Sequence, residues 1–142
     1  MTAGTKSRDK GKSGELEVVH LLRQWFPDAE RNLTETREGQ GIDIMNTAPF
    51  GIQVKRYADV APNVVTKAWN EAVDGVDNHT GPEVKCPIVL HRSDRQPWQL
   101  TISQNDLVGM YCKIIPGSVD CLATIDARAF FMAWEENGRP GR

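Results

Sequence analysis

Gly41-Ile42-Asp43-Ile44-Met45 and Phe50-Gly51-Ile52-Gln53-Val54-Lys55 are two short apolar runs separated by Asn46-Thr47-Ala48-Pro49. Successive side chains of a strand point to opposite faces. Ile42 and Ile44 therefore share one face, and Asp43 takes the other. On the second run Ile52 and Val54 lie together, opposite Gln53 and Lys55. Paired as an antiparallel hairpin, the two runs make one apolar face and one that carries a carboxylate, a carboxamide and an ammonium. Carboxylate and amide oxygens suit a hard divalent cation, and a neighbouring lysine can orient water and offset phosphate charge.

Upstream, Ser13 or Gly14 can begin a helix that runs to about Phe26, with Pro27 as its stop. Val18, Val19, Leu22, Trp25 and Phe26 recur at helical spacing. A rotation of about 100° per residue puts Glu15 within that stripe, and Glu17 on the solvent side with His20 and Gln24. A first strand is expected near Ala29 to Leu33, then a glycine-bearing loop, Thr36 to Gly41. Downstream, Asn63 can cap a second helix to about Val73, with Val65, Ala68, Trp69, Ala72 and Val73 on one face and Gly75 near its end. Cys86 to His91 and Pro97 to Ile102 read as strands, and short helices are expected near Gln104 to Met110 and Asp126 to Glu136. The order α-β-β-β-α-β-β predicts an α/β layered domain with a mixed sheet.

A chain of 142 residues with 25% charged and 39% hydrophobic residues has the composition of one globular domain. No apolar run approaches the roughly eighteen residues that cross a bilayer, so no membrane partner is expected. Without the apolar core of a signal peptide at its N-terminus, the protein is expected in the cytoplasm, the host's if it is phage-encoded. Cys86, Cys112 and Cys121 form no close pair and are expected as reduced thiols. His20, His79 and His91 lack metal-ligand spacing. The net charge of −2 argues against a large basic surface. Lys6-Ser7-Arg8-Asp9-Lys10-Gly11-Lys12, however, concentrates four positive charges that can reach a phosphate backbone.

Lys10-Gly11-Lys12-Ser13-Gly14-Glu15, Gly41-Ile42-Asp43 and Gln53-Val54-Lys55, in that order, resemble the PD-(D/E)XK nuclease superfamily, and most of all its archaeal-type Holliday-junction resolvases. The resemblance covers roughly residues 10 to 103. It implies a restriction-endonuclease-like fold, a mixed central sheet flanked by helices, with residues 1–12 a basic flexible segment and 13–142 the nuclease domain. It further implies Glu15 and Asp43 as metal-binding acids, the Val54 carbonyl as a backbone ligand, Lys55 as the catalytic lysine, and Mg²⁺ as the cofactor, with Mn²⁺ as a substitute. Position 53 departs from the majority pattern, because Gln53 stands where the second acid belongs. The amide keeps an oxygen lone pair and brings no charge. Glutamine at this position is also a variant of the superfamily, notably in Mrr-like restriction nucleases.

The implied activity is hydrolysis of DNA phosphodiesters, with branched DNA the favoured substrate, Glu15, Asp43, Gln53 and Lys55 forming the site, and Lys6, Arg8, Lys10, Lys12, Arg37 and Arg56 binding DNA. Paired cuts across a junction imply a homodimer, and Trp98, Leu100, Met110 and Phe130-Phe131-Met132 offer either its interface or core. A restriction or repair nuclease on duplex DNA, and a nuclease-like protein that only binds DNA, are the alternatives. Read without the resemblance, Asp43 and Lys55 could equally be a cross-strand ion pair.

Overall fold

The computed structural model describes residues 3–33, 42–78, 83–111 and 121–141, and side chains within those segments from Gly11 onward except 108–111. The order of elements is α1 (Ala3–Leu22), β1 (Glu30–Arg31), β2 (Ile44–Met45), β3 (Phe50–Tyr57), α2 (Pro62–Asn78), β4 (Cys86–Ser93), β5 (Gln99–Ser103), α3 (Gln104–Tyr111), β6 (Leu122–Asp126) and α4 (Ala127–Glu136). The six strands form one sheet in sequence order, β1 to β6. All neighbours are antiparallel except β3 and β4, which run parallel from Phe50↔Cys86 to Tyr57↔Ser93. Parallel neighbours require a crossover, and α2 provides it. The chain is thus an α/β domain with a mixed sheet flanked by helices.

β3 organises both layers. Its even residues Ile52 and Val54 join Ile88, Leu90, Leu100 and Ile102 in a core closed by α1 and α4. Its odd residues face α2, where Val89 of β4 packs against Ala68, Ala72 and Trp69. The first core is rich in rings: Phe26 stacks on Trp134 at 5.2 Å between centroids, and Phe50 meets Phe130, Phe131 and Trp134 edge-on. Leu100, Phe130 and Phe131 are therefore core residues and offer no interface. Trp98 packs against this core, Met132 is exposed, and the side chain of Met110 lies outside the described residues.

Several boundaries differ from the sequence reading. α1 begins at Ala3 rather than at Ser13 or Gly14, so residues 3–12 extend the helix instead of preceding it. It also ends at Leu22, where the Trp25 and Phe26 amides donate to the Leu22 carbonyl and turn the chain before Pro27. α2 starts with Pro62 at its first position, where a missing N–H costs nothing, and not with Asn63 as the cap. It runs past Gly75, which is buried within it. β6 has no counterpart in the sequence reading: Leu122 to Asp126 is a half-exposed edge strand with little apolar patterning. The hairpin is as expected, turning through Asn46 in the left-handed region (φ 65°) and a cis Ala48–Pro49 bond. Asp126 caps α4 by accepting from the Ala129 amide at 3.1 Å.

Ala68, Ala72 and Gly75 form a small-residue seam that lets α2 sit close to the sheet. Gly51 matches it from β3, since a Cβ there would overlap Val76 Cγ2 and crowd Val84 Cγ1 at 3.2 Å. Val76 is β-branched and stiff in a helix, so it cannot turn aside. Gly51→Ala should destabilise the fold by about 1–3 kcal/mol through overpacking. Gly11→Ala, which meets nothing within 4 Å in α1, should stabilise it by about 0.5–1 kcal/mol. Urea denaturation of the two variants checks both signs.

Candidate active site

Asp43 sits at the entry to β2. Its amide donates to the Ile52 carbonyl at 2.7 Å, while the next residue, Ile44, is the ladder partner of Ile52. Two residues opposing one make a bulge, a device that re-aims a side chain. The Asp43 carboxylate consequently accepts the Val54 N–H through Oδ2 at 2.8 Å. The group thus lies at the end of β2, in line with the ladder, rather than projecting with Gln53 onto one face as the alternation predicts.

That position exposes Asp43 to charges from both helix layers. Burial pushes its carboxyl up from 3.8 to about 6, against the Val54 hydrogen bond, which lowers it. Glu15 raises it, Lys55 lowers it and Glu71 raises it. Glu15 comes from α1, Lys55 from β3 and Glu71 from α2. Glu15 is largely buried and accepts from Arg31 Nε on β1 at 2.8 Å. The Lys55 ammonium pairs with Glu71 Oε2 at 3.3 Å rather than with Asp43. Gln53 is buried on the α2 face.

The structure therefore leaves Gln53 buried on that face and brings Glu15 and Lys55 within electrostatic reach of Asp43, beside the Val54 backbone. Two charged groups there were missed in the sequence. Glu71 flanks the apolar stripe of the second helix one position before Ala72, which was its available signal. Arg31 lay in the expected first strand with nothing to mark it. Hard-oxygen donors suit Mg²⁺ or Mn²⁺: carboxylates of Glu15 and Asp43, the Gln53 amide oxygen and the Val54 carbonyl. Among the described residues no three acidic, histidine or cysteine side chains form a metal-holding group.

The expected DNA-contacting residues divide. Lys12 is exposed, one turn before Glu15. Lys6, Arg8 and Lys10 fall on α1, with side chains outside the described residues, and Arg37 lies outside them altogether. Arg56 is on the opposite face of β3 from Lys55, bound to Glu17 Oε2 at 3.0 Å and 3.9 Å from Asp94. Arg92, the register partner of Arg56, also donates to Glu17. Glu17 is therefore no solvent-side acid. It ties α1 to the ends of β3 and β4, where Gly14 already lets the helix approach, because a Cβ at 14 would lie 2.9 Å from Arg56 Cβ.

His91 has no part in the donor set. It is the register partner of Lys55 and shares a 2.8 Å hydrogen bond with Thr101, and burial lowers its pKa. Cys86 is a buried thiol that donates to Asp106 at 3.7 Å and is pushed well up by burial, while Cys121 is exposed. Cys112 and His79 lie outside the described residues. Among those described, no helix is long and apolar enough to cross a membrane.

No protein-family model, curated protein or solved structure matches this chain.

Two outcomes follow from the charges. Between pH 3.8 and about 6 the folded protein keeps the Asp43 proton that the unfolded chain has lost. Stability therefore falls as pH rises through that window, and the cost is complete above it. Asp43→Asn keeps an acceptor for the Val54 N–H without the charge. It should raise stability by up to about 3 kcal/mol at pH 7.5 and by almost nothing at pH 3.5, as read from denaturation curves at the two pH values. Glu17→Ala leaves two part-buried guanidinium groups without their shared acceptor and should cost about 1–3 kcal/mol in the same assay.

Proposed function

We propose that this protein is a Mg²⁺- or Mn²⁺-dependent DNA endonuclease with a restriction-endonuclease-like fold, a homodimer that resolves branched DNA. The observation that carries this reading is the convergence of Glu15, Asp43 and Lys55, from three separate elements, at the end of β2 where the Val54 backbone meets the Asp43 carboxylate. An isolated surface ion pair would not need all three. The Asp43–Lys55 pair that would make the pattern trivial is replaced by Lys55–Glu71.

Glu15, Asp43, the Gln53 amide and the Val54 carbonyl would hold the cation, which when bound neutralises phosphate charge and makes a water more acidic. The chain's own groups do the remainder. The Val54 N–H fixes one Asp43 oxygen and leaves the other for ligation. The Lys55 ammonium can hold a water for attack and stabilise the negative charge that builds on the phosphate as the new P–O bond forms. Lys12 stands one turn along α1 from Glu15 and could meet a phosphate backbone entering the site, and Lys6, Arg8 and Lys10 lie earlier on the same helix.

DNA binding without cleavage is a second reading, favoured by the neutral Gln53 and by the commitment of Glu15 to Arg31. One experiment separates the two. Four-way junctions, flaps and linear duplex are incubated with the protein, with and without Mg²⁺ or Mn²⁺. Metal-dependent cutting of the junction is expected. Asp43→Ala and Lys55→Ala should lower the rate at least about 100-fold, the scale of losing a group that acts in the transition state. Binding of all three substrates with no cutting under any metal condition would favour the second reading.

A further inference from the structure

Lys55 carries a flexible four-carbon stem, and an ammonium that moves freely in solvent is poorly suited to holding a water or a phosphate oxygen in place. Gln53, two residues earlier on the same strand, is neutral and buried and offers that ammonium no counter-charge. An acid does stand in reach. Glu71 lies on α2, with Oε2 at 3.3 Å from Lys55 Nζ and the two side chains only partly exposed, at 36% and 24%. Its backbone is held firmly. Ala72, next in sequence, is fully buried in the seam with Ala68 and Gly75, and Gly51 removes the Cβ that would push this helix off β3.

Glu15 is paired with Arg31 and is not available to Lys55. Asp43, Lys55 and Glu71 remain, and Glu71 is one of the charges that Asp43 responds to. From these contacts we infer that Glu71 is a positioning residue: from α2 it aims and restrains the Lys55 ammonium beside Asp43. This role rests on the nuclease reading, although the pairing itself does not. No bond to substrate is assigned to Glu71, and its effect passes through Lys55.

The test uses the full chain and Glu71→Gln, which keeps shape and an acceptor oxygen but removes the charge, with Glu71→Asp as a shorter acid. Trace acetylation followed by mass spectrometry reports how accessible and nucleophilic each lysine is, with exposed Lys67 and Lys85 as internal standards. Lys55 labelling should rise about threefold in Glu71→Gln, the scale of releasing a part-exposed ion pair, and less in Glu71→Asp. On cleaved DNA, kcat should fall about tenfold with KM unchanged, the pattern of an interaction made in the transition state. In a Lys55→Ala background the Glu71→Gln change should have no further effect, which a merely structural role would not give. Unchanged labelling would overturn the inference. Raised labelling with full kcat would overturn the catalytic role while leaving the nuclease reading intact. If wild-type protein cuts no DNA under any metal condition while labelling still rises, the nuclease reading fails and this role falls with it.

Discussion

The hydrogen bond from the Val54 N–H to the Asp43 carboxylate is the constraint on which the arrangement depends. It replaces a ladder bond that β2 would otherwise make with β3, and so substitutes a side chain for backbone at the point where the strand begins. A carboxylate in that position is buried by the surrounding layers and pushed up to about 6, so the fold carries it at a cost. Such a cost is commonly found where a side chain is kept for chemistry rather than for stability. The two apolar layers make it tolerable. The ring cluster around Phe50, Phe131 and Trp134 anchors one face of β3, and the Ala68–Ala72–Gly75 seam anchors the other.

The site also explains how its charges are balanced without a cation. Glu15 has Arg31 and Glu71 has Lys55. Among the described residues, Asp43 has a backbone donor and more distant charges. Glu15 and Glu71 each already have a cationic partner, and a divalent cation would compete with Arg31 for Glu15. In the proposed nuclease, that competition would make metal affinity weaker than three free carboxylates would give.

The hairpin was legible in the sequence because period-two alternation in Ile42 to Met45 and Phe50 to Lys55 has a simple physical meaning, and Asn-Thr-Ala-Pro marks the turn. The bulge at Asp43 was not, since one extra residue leaves no trace in an apolar pattern. Rotation around α1 placed Glu15 correctly near the interior. It misplaced Glu17, because a helical wheel cannot know that Arg56 and Arg92 rise from the sheet to meet the polar side of the helix. The early start of α1 was hidden by Gly4, Gly11 and Gly14, which lower helix propensity. Glu71 escaped notice because its reach depends on how closely α2 sits on β3, and that distance is set by glycine and alanine contacts between segments far apart in sequence. β6 pairs with β5 at the sheet edge through Leu122-Ala123-Thr124-Ile125-Asp126, a short run whose apolar residues do not alternate cleanly.

In the proposed nuclease the Asp43 strand end holds a divalent cation. Thermal unfolding of wild type and Asp43→Asn, titrated with Mg²⁺ and with Mn²⁺ at pH 7.5, tests it without requiring any DNA. A ligand that binds only the folded state raises the melting temperature as its concentration exceeds Kd. A concentration-dependent rise is expected for wild type and none for Asp43→Asn. Equal rises in both proteins would contradict it.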